Sequence, residues 1–278
     1  MLPIPGTGTP ALTDVELRTI VALVYEKSGI TLHDGKRELV AARLQKRMRQ
    51  LALSSYKDYL GRLSDDRSGA ELTLLLDAIA TNHTSFFREP QHFAFLRDRV
   101  VPALSEQTRG RGISGWCAAS SSGEEPVTIA VTLLEAGVEQ FDLLASDLST
   151  KILAVARQGV YTMERVQGMP PALLRKYFER GLGEQHGLAR VAPDVRRRIQ
   201  YRALNLIAME RLDKVFDFIF CRNVMIYFDK PVQQRVVSML ERHLAPGGHL
   251  FISHSESLNG IDHDMKWIAP AIYRRAAK

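Results

Sequence analysis

Apolar positions along the chain change their spacing near residue 85. Before that point they recur every three to four residues, the spacing of helices with one buried face. Thr13-Asp14-Val15-Glu16 has the form of a capping box and opens a helix that runs to about Ser28, ahead of Gly29. Asp34-Gly35 precedes a second predicted helix over Lys36–Leu51, on which Val40, Leu44, Met48 and Leu51 form one stripe. Tyr56–Leu63 and Glu71–Ala80 supply two more helical segments, and no strand pattern interrupts them. A small all-helical domain with its linker is expected over 13–85, behind a loose Pro/Gly/Thr-rich tail over 1–12.

Beyond residue 85 the rhythm alternates. Gln91–Ser105 reads as a helix and the Gly-rich stretch Arg109–Gly115 as a linker. Short apolar runs at Gly115–Ala119, Phe141–Ser146, Ile199–Leu204, Phe216–Cys221 and His249–Ser253 read as strands. Helices are predicted between them at Glu124–Ala136, Ser149–Arg157 and Pro231–Leu244. Near-continuous apolar strands separated by helices imply a parallel sheet covered on both faces, a doubly wound, Rossmann-like α/β domain over 86–278. Such a sheet takes its ligand at the carboxyl ends of the strands. Tyr177–Tyr201, broken by Gly181, Gly183, Gly187 and Pro193, reads as a small antiparallel excursion from this pattern.

Composition narrows the class. Hydrophobic residues at 45% and charged residues at 24% are enough for a sizeable core and exclude global disorder. No run approaches the roughly 18 apolar residues of a membrane span, and the first ten residues lack the basic and apolar regions of a signal peptide. A cytoplasmic protein with no membrane insertion is expected. The net charge of +6 is mild and points to an acidic partner only where it is clustered. Cys117 and Cys221 lie far apart without CxxC spacing, so buried reduced thiols are expected rather than a disulfide or a thiolate zinc site. The eight histidines are scattered, no HExxH or nucleophile-elbow pattern is present, and no metal site is expected.

Five stretches carry the candidate chemistry. Trp116–Pro126 leaves a strand through the small residues Ala118-Ala119-Ser120-Ser121-Ser122-Gly123 and enters a helix at Glu124-Glu125. Small residues allow a ligand close to the backbone, but GxGxxG is missing. Two carboxylates repel phosphate and suit a cationic or amine-bearing ligand; they also complement a helix dipole. Asp147 ends the next strand, where an acidic side chain accepts hydrogen bonds from ribose hydroxyls. In Phe220–Phe228, polar Arg222 and Asn223 interrupt an apolar run where a strand meets the crevice. Gly247-Gly248 reads as a turn whose glycines permit positive φ. Thr81–Glu89 gathers Asn, Thr and Arg side chains beside two aromatics, and Arg88 is placed to fork onto a ligand carboxylate.

Together these stretches resemble the CheR family, chemotaxis receptor methyltransferases that use S-adenosylmethionine. Asn82–Glu89, Gly123-Glu124-Glu125-Pro126, Ser146-Asp147 and Cys221-Arg222-Asn223-Val224-Met225-Ile226-Tyr227-Phe228 match the family's signatures in order, although Ala119–Ser122 departs from the Gly, Cys or Thr of many relatives. The resemblance implies a helical receptor-docking domain, a methyltransferase domain and a β-subdomain over 177–201. It implies cofactor contacts at Asn82, Thr84, Arg88, Glu124, Asp147, Asn205, Leu206, Arg222 and Asn223, with Arg88 near the methionine carboxylate. It further implies methyl transfer to receptor glutamates as γ-methyl esters. A glutamate is already ionised at neutral pH, so no strong base is required; Arg222 and Tyr227 are the expected shapers of its approach. Lys36, Arg43, Lys46 and Arg47, on one sector of the second helix, are expected to dock the acidic cytoplasmic helices of the receptor, and the small β-subdomain a receptor C-terminal tail peptide. A monomer with no nucleic-acid partner is expected. The competing readings are a non-catalytic cofactor-binding adaptor on chemoreceptors and a methyltransferase of RNA or a small molecule. A nicotinamide-linked oxidoreductase is disfavoured by the missing fingerprint.

Overall fold

The computed structural model describes residues 11–32, 34–80, 82–108, 111–208 and 212–277. Most of the expected tail and the first two residues of the Arg109–Gly115 linker lie outside them. The chain divides into two compact units between Thr81 and Asn82.

Among its described residues the first unit is mainly helical: α1 (Asp14–Ser28), α2 (Arg37–Gln50), α3 (Tyr56–Asp65) and α4 (Ala70–Ile79). Thr13 and Glu16 close the capping box from both sides, and Gly29 ends α1 at φ +72°. Val40, Leu44 and Met48 of α2 are buried, as their stripe predicts. Their neighbours change the picture drawn for the docking sector. Arg47 grips Glu71 through two bonds, Nε to Oε1 at 2.9 Å and Nη2 to Oε2 at 2.6 Å. Arg43 donates to the carbonyls of Ile79 and Ala80, capping the end of α4. Spacing along one helix placed both arginines beside the apolar stripe, and a second helix packed there claims their charge. Lys46 remains exposed on α2 and Lys36 is half-buried ahead of it.

The second unit begins earlier than the expected 85/86 boundary. Asn82 offers its carbonyl to Ser121 Oγ, Phe87 N–H donates to Thr128, and Phe86 packs edge-on against Tyr161 and Phe178. It continues through α5 (Pro90–Phe95), a π turn at Leu96–Val100, α6 (Val101–Thr108), β1 (Ile113–Ala118), α7 (Glu124–Glu135), β2 (Phe141–Asp147) and α8 (Thr150–Gln158). Then come β3 (Val160–Thr162), α9 (Pro171–Tyr177), β4 (Phe178–Arg180), β5 (Leu188–Val191), α10 (Pro193–Arg196) and β6 (Ile199–Ala203). The unit ends with β7 (Phe216–Cys221), α11 (Lys230–His243), β8 (Leu244–Phe251), β9 (Lys266–Ala269) and β10 (Ile272–Arg274).

The main sheet has the order β6-β2-β1-β7-β8-β10-β9. β6, β2, β1, β7 and β8 are parallel, but β10 runs antiparallel to β8 and β9. The sheet is therefore mixed. The closing ribbon escapes the pattern reading because every residue of β9 is at least partly exposed and β10 is only three residues long. From β1 the chain builds outward to β2 and β6, then returns to the other side with β7. This reversal opens a crevice at the carboxyl ends of β1 and β7. The antiparallel excursion is a separate sheet of order β3-β5-β4. It reaches back to Val160, whereas Ile199–Tyr201, expected within it, belongs to β6 of the main sheet.

Gly247 and Gly248, expected as a turn before the strand, lie within β8, where the pairing with β7 shifts register; Gly247 takes φ +78° there. Gly248 serves close approach instead: a Cβ there would stand 2.9 Å from the Ala245 carbonyl oxygen and 3.0 Å from that of Asp217. Gly248→Ala is expected to destabilise the protein by about 1–3 kcal/mol, since both obstacles are backbone. Urea denaturation followed by circular dichroism measures this, and an unchanged midpoint would show that the strand yields freely at this point.

Candidate active site at the strand ends

The crevice is built on the loop that leaves β1. Ala119, Ser121 and Gly123 take positive φ values of +66°, +48° and +97°. For the first two residues this costs about 1–2 kcal/mol each, so something must hold them. Ser120 N–H donates to the Ser146 carbonyl at 2.8 Å and Ser121 N–H to Asp147 Oδ2 at 2.8 Å. A side chain at Gly123 would meet the Tyr161 hydroxyl, which itself donates to the Ser122 carbonyl. Small residues are required here because strands, helix and loop close on one another.

Asp147 also accepts from Ser149 N–H at 3.0 Å, so it fixes the loop and the entry to α8 together. Its carbonyl receives Leu204 N–H, which brings Asn205 and Leu206 beside the end of β2. Asn205 Oδ1 accepts Ile207 N–H in a local turn, and Leu206 is half-buried.

Glu124 is 1% exposed. Its carboxylate accepts from Ser122 Oγ and pairs with Arg165, whose guanidinium also donates to Ser122 Oγ at 2.7 Å. Burial raises the Glu124 carboxyl above its usual range, against the opposing pull of Ser122 and Arg165. The expected amine-facing carboxylate thus already has an internal cation. Arg165 had no signal in the sequence, since it comes from the turn after β3.

Arg222 was expected to meet ligand or substrate, but its side chain is 0% exposed. Nη1 donates to Glu125 Oε2 at 2.5 Å and Nη2 to the Arg88 carbonyl at 2.6 Å, with Glu89 Oε2 at 3.1 Å. Burial pulls the guanidinium pKa down, but Glu125 and Glu89 more than offset it and hold the charge. Arg222 therefore joins three stretches of chain from within. Arg88 is half-buried and donates through Nη1 to the His83 carbonyl at 3.1 Å; Asn82 and Thr84 are likewise half-buried on the same stretch.

Asn223 sits at φ +58° and donates from Nδ2 to Ser253 Oγ at 2.7 Å, while Tyr227, half-buried, closes the short 3₁₀ turn Met225–Tyr227. Ser253, Glu89 and Glu256 complete the surroundings and carry no pattern that periodicity detects. The available hint was a polar run, Ser253–Glu256, directly after an apolar strand. Asn82, Arg88, Asp147, Asn205, Arg222 and Asn223 are thus brought together by direct bonds or by immediate chain neighbours. The four docking candidates lie in the other unit.

Cys117 and Cys221 are buried and free. Burial raises both thiols well above their ordinary range, and Glu125 beside Cys117 adds to this. Glu89, His92 and His254 each bring a possible metal-ligand atom within 4.8 Å of the others. The His92 and His254 rings stack at 4.7 Å with their planes 27° apart. A metal lies near the plane of each imidazole it binds, and rings stacked face to face are poorly arranged to share one ion. Burial and Arg222 lower His92 to about 4, and it is neutral at physiological pH.

Residues 82–273 match the pattern of the CheR methyltransferase SAM-binding domain, and residues 15–80 that of the CheR methyltransferase all-alpha domain. The chain is 41% identical over 268 residues to a chemotaxis protein methyltransferase of Klebsiella aerogenes, covering 94% of this chain and 90% of the relative. It is 39% identical over 279 residues to chemotaxis protein methyltransferase 2 of Pseudomonas aeruginosa, covering 99% and 98%. Among solved structures, SAM-bound CalS10, an amino pentose methyltransferase from Micromonospora echinaspora, aligns at 18% identity and TM-score 0.33 over 58% of this chain and 49% of that one.

Arg222→Gln is expected to cost about 3–5 kcal/mol of stability, because it leaves Glu125 and Glu89 facing one another without their shared cation. Chemical denaturation of the purified variant checks this, and a loss below about 1 kcal/mol would mean that the network carries little.

Proposed function

The chain belongs to the CheR methyltransferase family of SAM-dependent chemotaxis protein methyltransferases, and on that premise we propose that it methylates glutamate side chains on the cytoplasmic helices of chemoreceptors, forming γ-methyl esters. The observation that carries the reading is the strained small-residue loop of β1, held against Asp147 and Asn82 at the strand ends. It offers a cradle with acidic groups and no phosphate-binding glycine pattern, which suits a donor with a cationic sulfur, a ribose and an amino acid end.

When bound, S-adenosylmethionine supplies an electrophilic methyl on its sulfonium. The residues present suit its parts: Asp147 the ribose hydroxyls, Asn205-Leu206 the adenine, Arg88 the carboxylate, and Asn82, Thr84, Glu124 and Asn223 the remaining polar contacts. An incoming glutamate carboxylate is already an anion, so no group of the protein has to remove a proton. The two reactants lose charge as they meet, and exclusion of water lowers the barrier. Tyr227 stands at the mouth of the turn that follows Arg222, where it would orient the carboxylate. Arg222 contributes from beneath by fixing that turn, a positioning role rather than the direct contact first expected.

Receptor recognition falls to the helical unit. With Arg43 and Arg47 consumed internally, Lys46 and the exposed Arg49 on α2 carry the docking charge, with Lys36 beside them. The small sheet has two edge strands, β3 and β4, on which a receptor tail peptide would add as a further strand.

Incubation with methyl-labelled S-adenosylmethionine and receptor-bearing membranes, followed by alkali, is expected to release the label as volatile methanol. Alkali-stable label would overturn the glutamate reading, and binding without transfer would leave a cofactor-binding adaptor. The double charge reversal Lys46→Glu with Arg49→Glu is expected to weaken receptor methylation by about tenfold at low salt, with the difference shrinking as salt rises. Its affinity for S-adenosylhomocysteine, read by calorimetry, should not change; unaltered receptor methylation would place docking elsewhere.

A further inference from the structure

β7 ends at Cys221, and the chain must turn sharply to present Asn223 and Tyr227. The turn places Asn223 in the left-handed region, a conformation that asparagine tolerates but does not choose unaided. The N–H groups exposed by the turn converge on one side chain from a distant stretch. Glu256 Oε2 accepts from Asn223 N–H at 3.1 Å and from Ser253 N–H at 2.8 Å, and Oε1 accepts from Met225 N–H at 2.8 Å. The Asn223 amide meanwhile donates to Ser253 Oγ, which donates to Glu89 Oε1 at 2.7 Å. A carboxylate suits this place because it only accepts. An amide could serve the two N–H groups on one side but would set its own NH₂ against Met225 N–H.

We propose that Glu256 is a positioning residue for the methyl transfer: it holds the Asn223–Tyr227 turn in the one shape that presents both side chains to the reaction. The proposal rests on the functional reading above. Glu256 bonds the backbone N–H groups of Asn223 and Met225 rather than the Asn223 amide or the Tyr227 hydroxyl, and so acts through the turn. Burial raises its carboxyl pKa, and the backbone N–H groups work against that rise.

A double-mutant cycle tests the role. The wild type, Glu256→Gln, Tyr227→Phe and the double variant are compared for kcat on receptor-bearing membranes and for S-adenosylhomocysteine affinity by calorimetry. If Glu256 acts by placing Tyr227, Glu256→Gln lowers kcat by about 30-fold, and the double variant falls no more than about threefold below the worse single one. Losses that multiply, or a Glu256→Gln variant with wild-type kcat, would overturn the role. Should Glu256→Gln fail to fold, Glu256→Asp enters the same cycle: it keeps the charge but draws the carboxylate back by one methylene from the Asn223 and Met225 N–H groups, and multiplying losses there count equally against the proposal. Failure of the wild-type protein to bind S-adenosylhomocysteine would defeat the functional reading itself, a result separate from either outcome of the cycle.

Discussion

A guanidinium removed from solvent must have its charge balanced and its N–H groups filled, and Arg222 meets both demands only where separate stretches of the chain converge. Glu125 reaches it from the first turn of α7, Glu89 and the Arg88 carbonyl from the stretch ahead of α5, and Arg222 itself stands at the end of β7. Displacing Arg222 leaves Glu125 and Glu89 without their shared cation, and displacing either partner stretch leaves buried guanidinium N–H groups unfilled, which costs far more than a lost surface contact. The stretch over 82–89 is thus held to the sheet through its least negotiable group. Phe86 and Phe87 complete the attachment by packing on Tyr161, Phe178 and Phe93.

This arrangement settles the electrostatics of the crevice. Glu124 answers to Arg165 and Glu125 to Arg222, so the acidic pair that opens α7 is neutralised from within. A site reading as two bare carboxylates in sequence is closer to neutral in space. That suits the proposed reaction, in which a sulfonium and a carboxylate extinguish one another's charge. A strongly anionic crevice would hold the cation and repel the incoming glutamate. Internal pairing that lowers the anionic charge favours their meeting.

Legibility followed the range of the interactions. Thr13 and Glu16 interact across three residues, and their capping box could be read directly. The stripe of α2 and the apolar strands of the sheet are also local patterns. The candidate site was legible where a motif sits at a strand end, as at Asp147 and Asn223. Arg43 and Arg47 mark the limit of such patterns: helical spacing places a side chain on a face without saying what packs there, and both bond to α4 or its end. Arg165, Glu256 and Ser253 escaped because their partners lie some thirty or more positions away in sequence. β9 escaped for another reason: an exposed edge strand has no buried face and hence no period.

The backbone shows what these distant partners accomplish. Non-glycine residues with positive φ at Phe87, Glu89, Ala119, Ser121 and Asn223 all lie on the stretches that frame the crevice. Such conformations persist only where the surroundings over-determine them. Here carboxylates supply much of that hold. Asp147 takes the N–H of Ser121, Glu256 takes that of Asn223, and Glu89 is fixed through Ser253 and the His254 N–H. Each carboxylate accepts several backbone or side-chain donors at once, so the bonds that fix one strained residue also fix its neighbours. Asp147, which the sequence reading assigns to the ribose, thus also serves to bend the chain. A crevice shaped in this way before any ligand arrives has less ordering left to do on binding, which favours alignment of two reactants that need no proton moved.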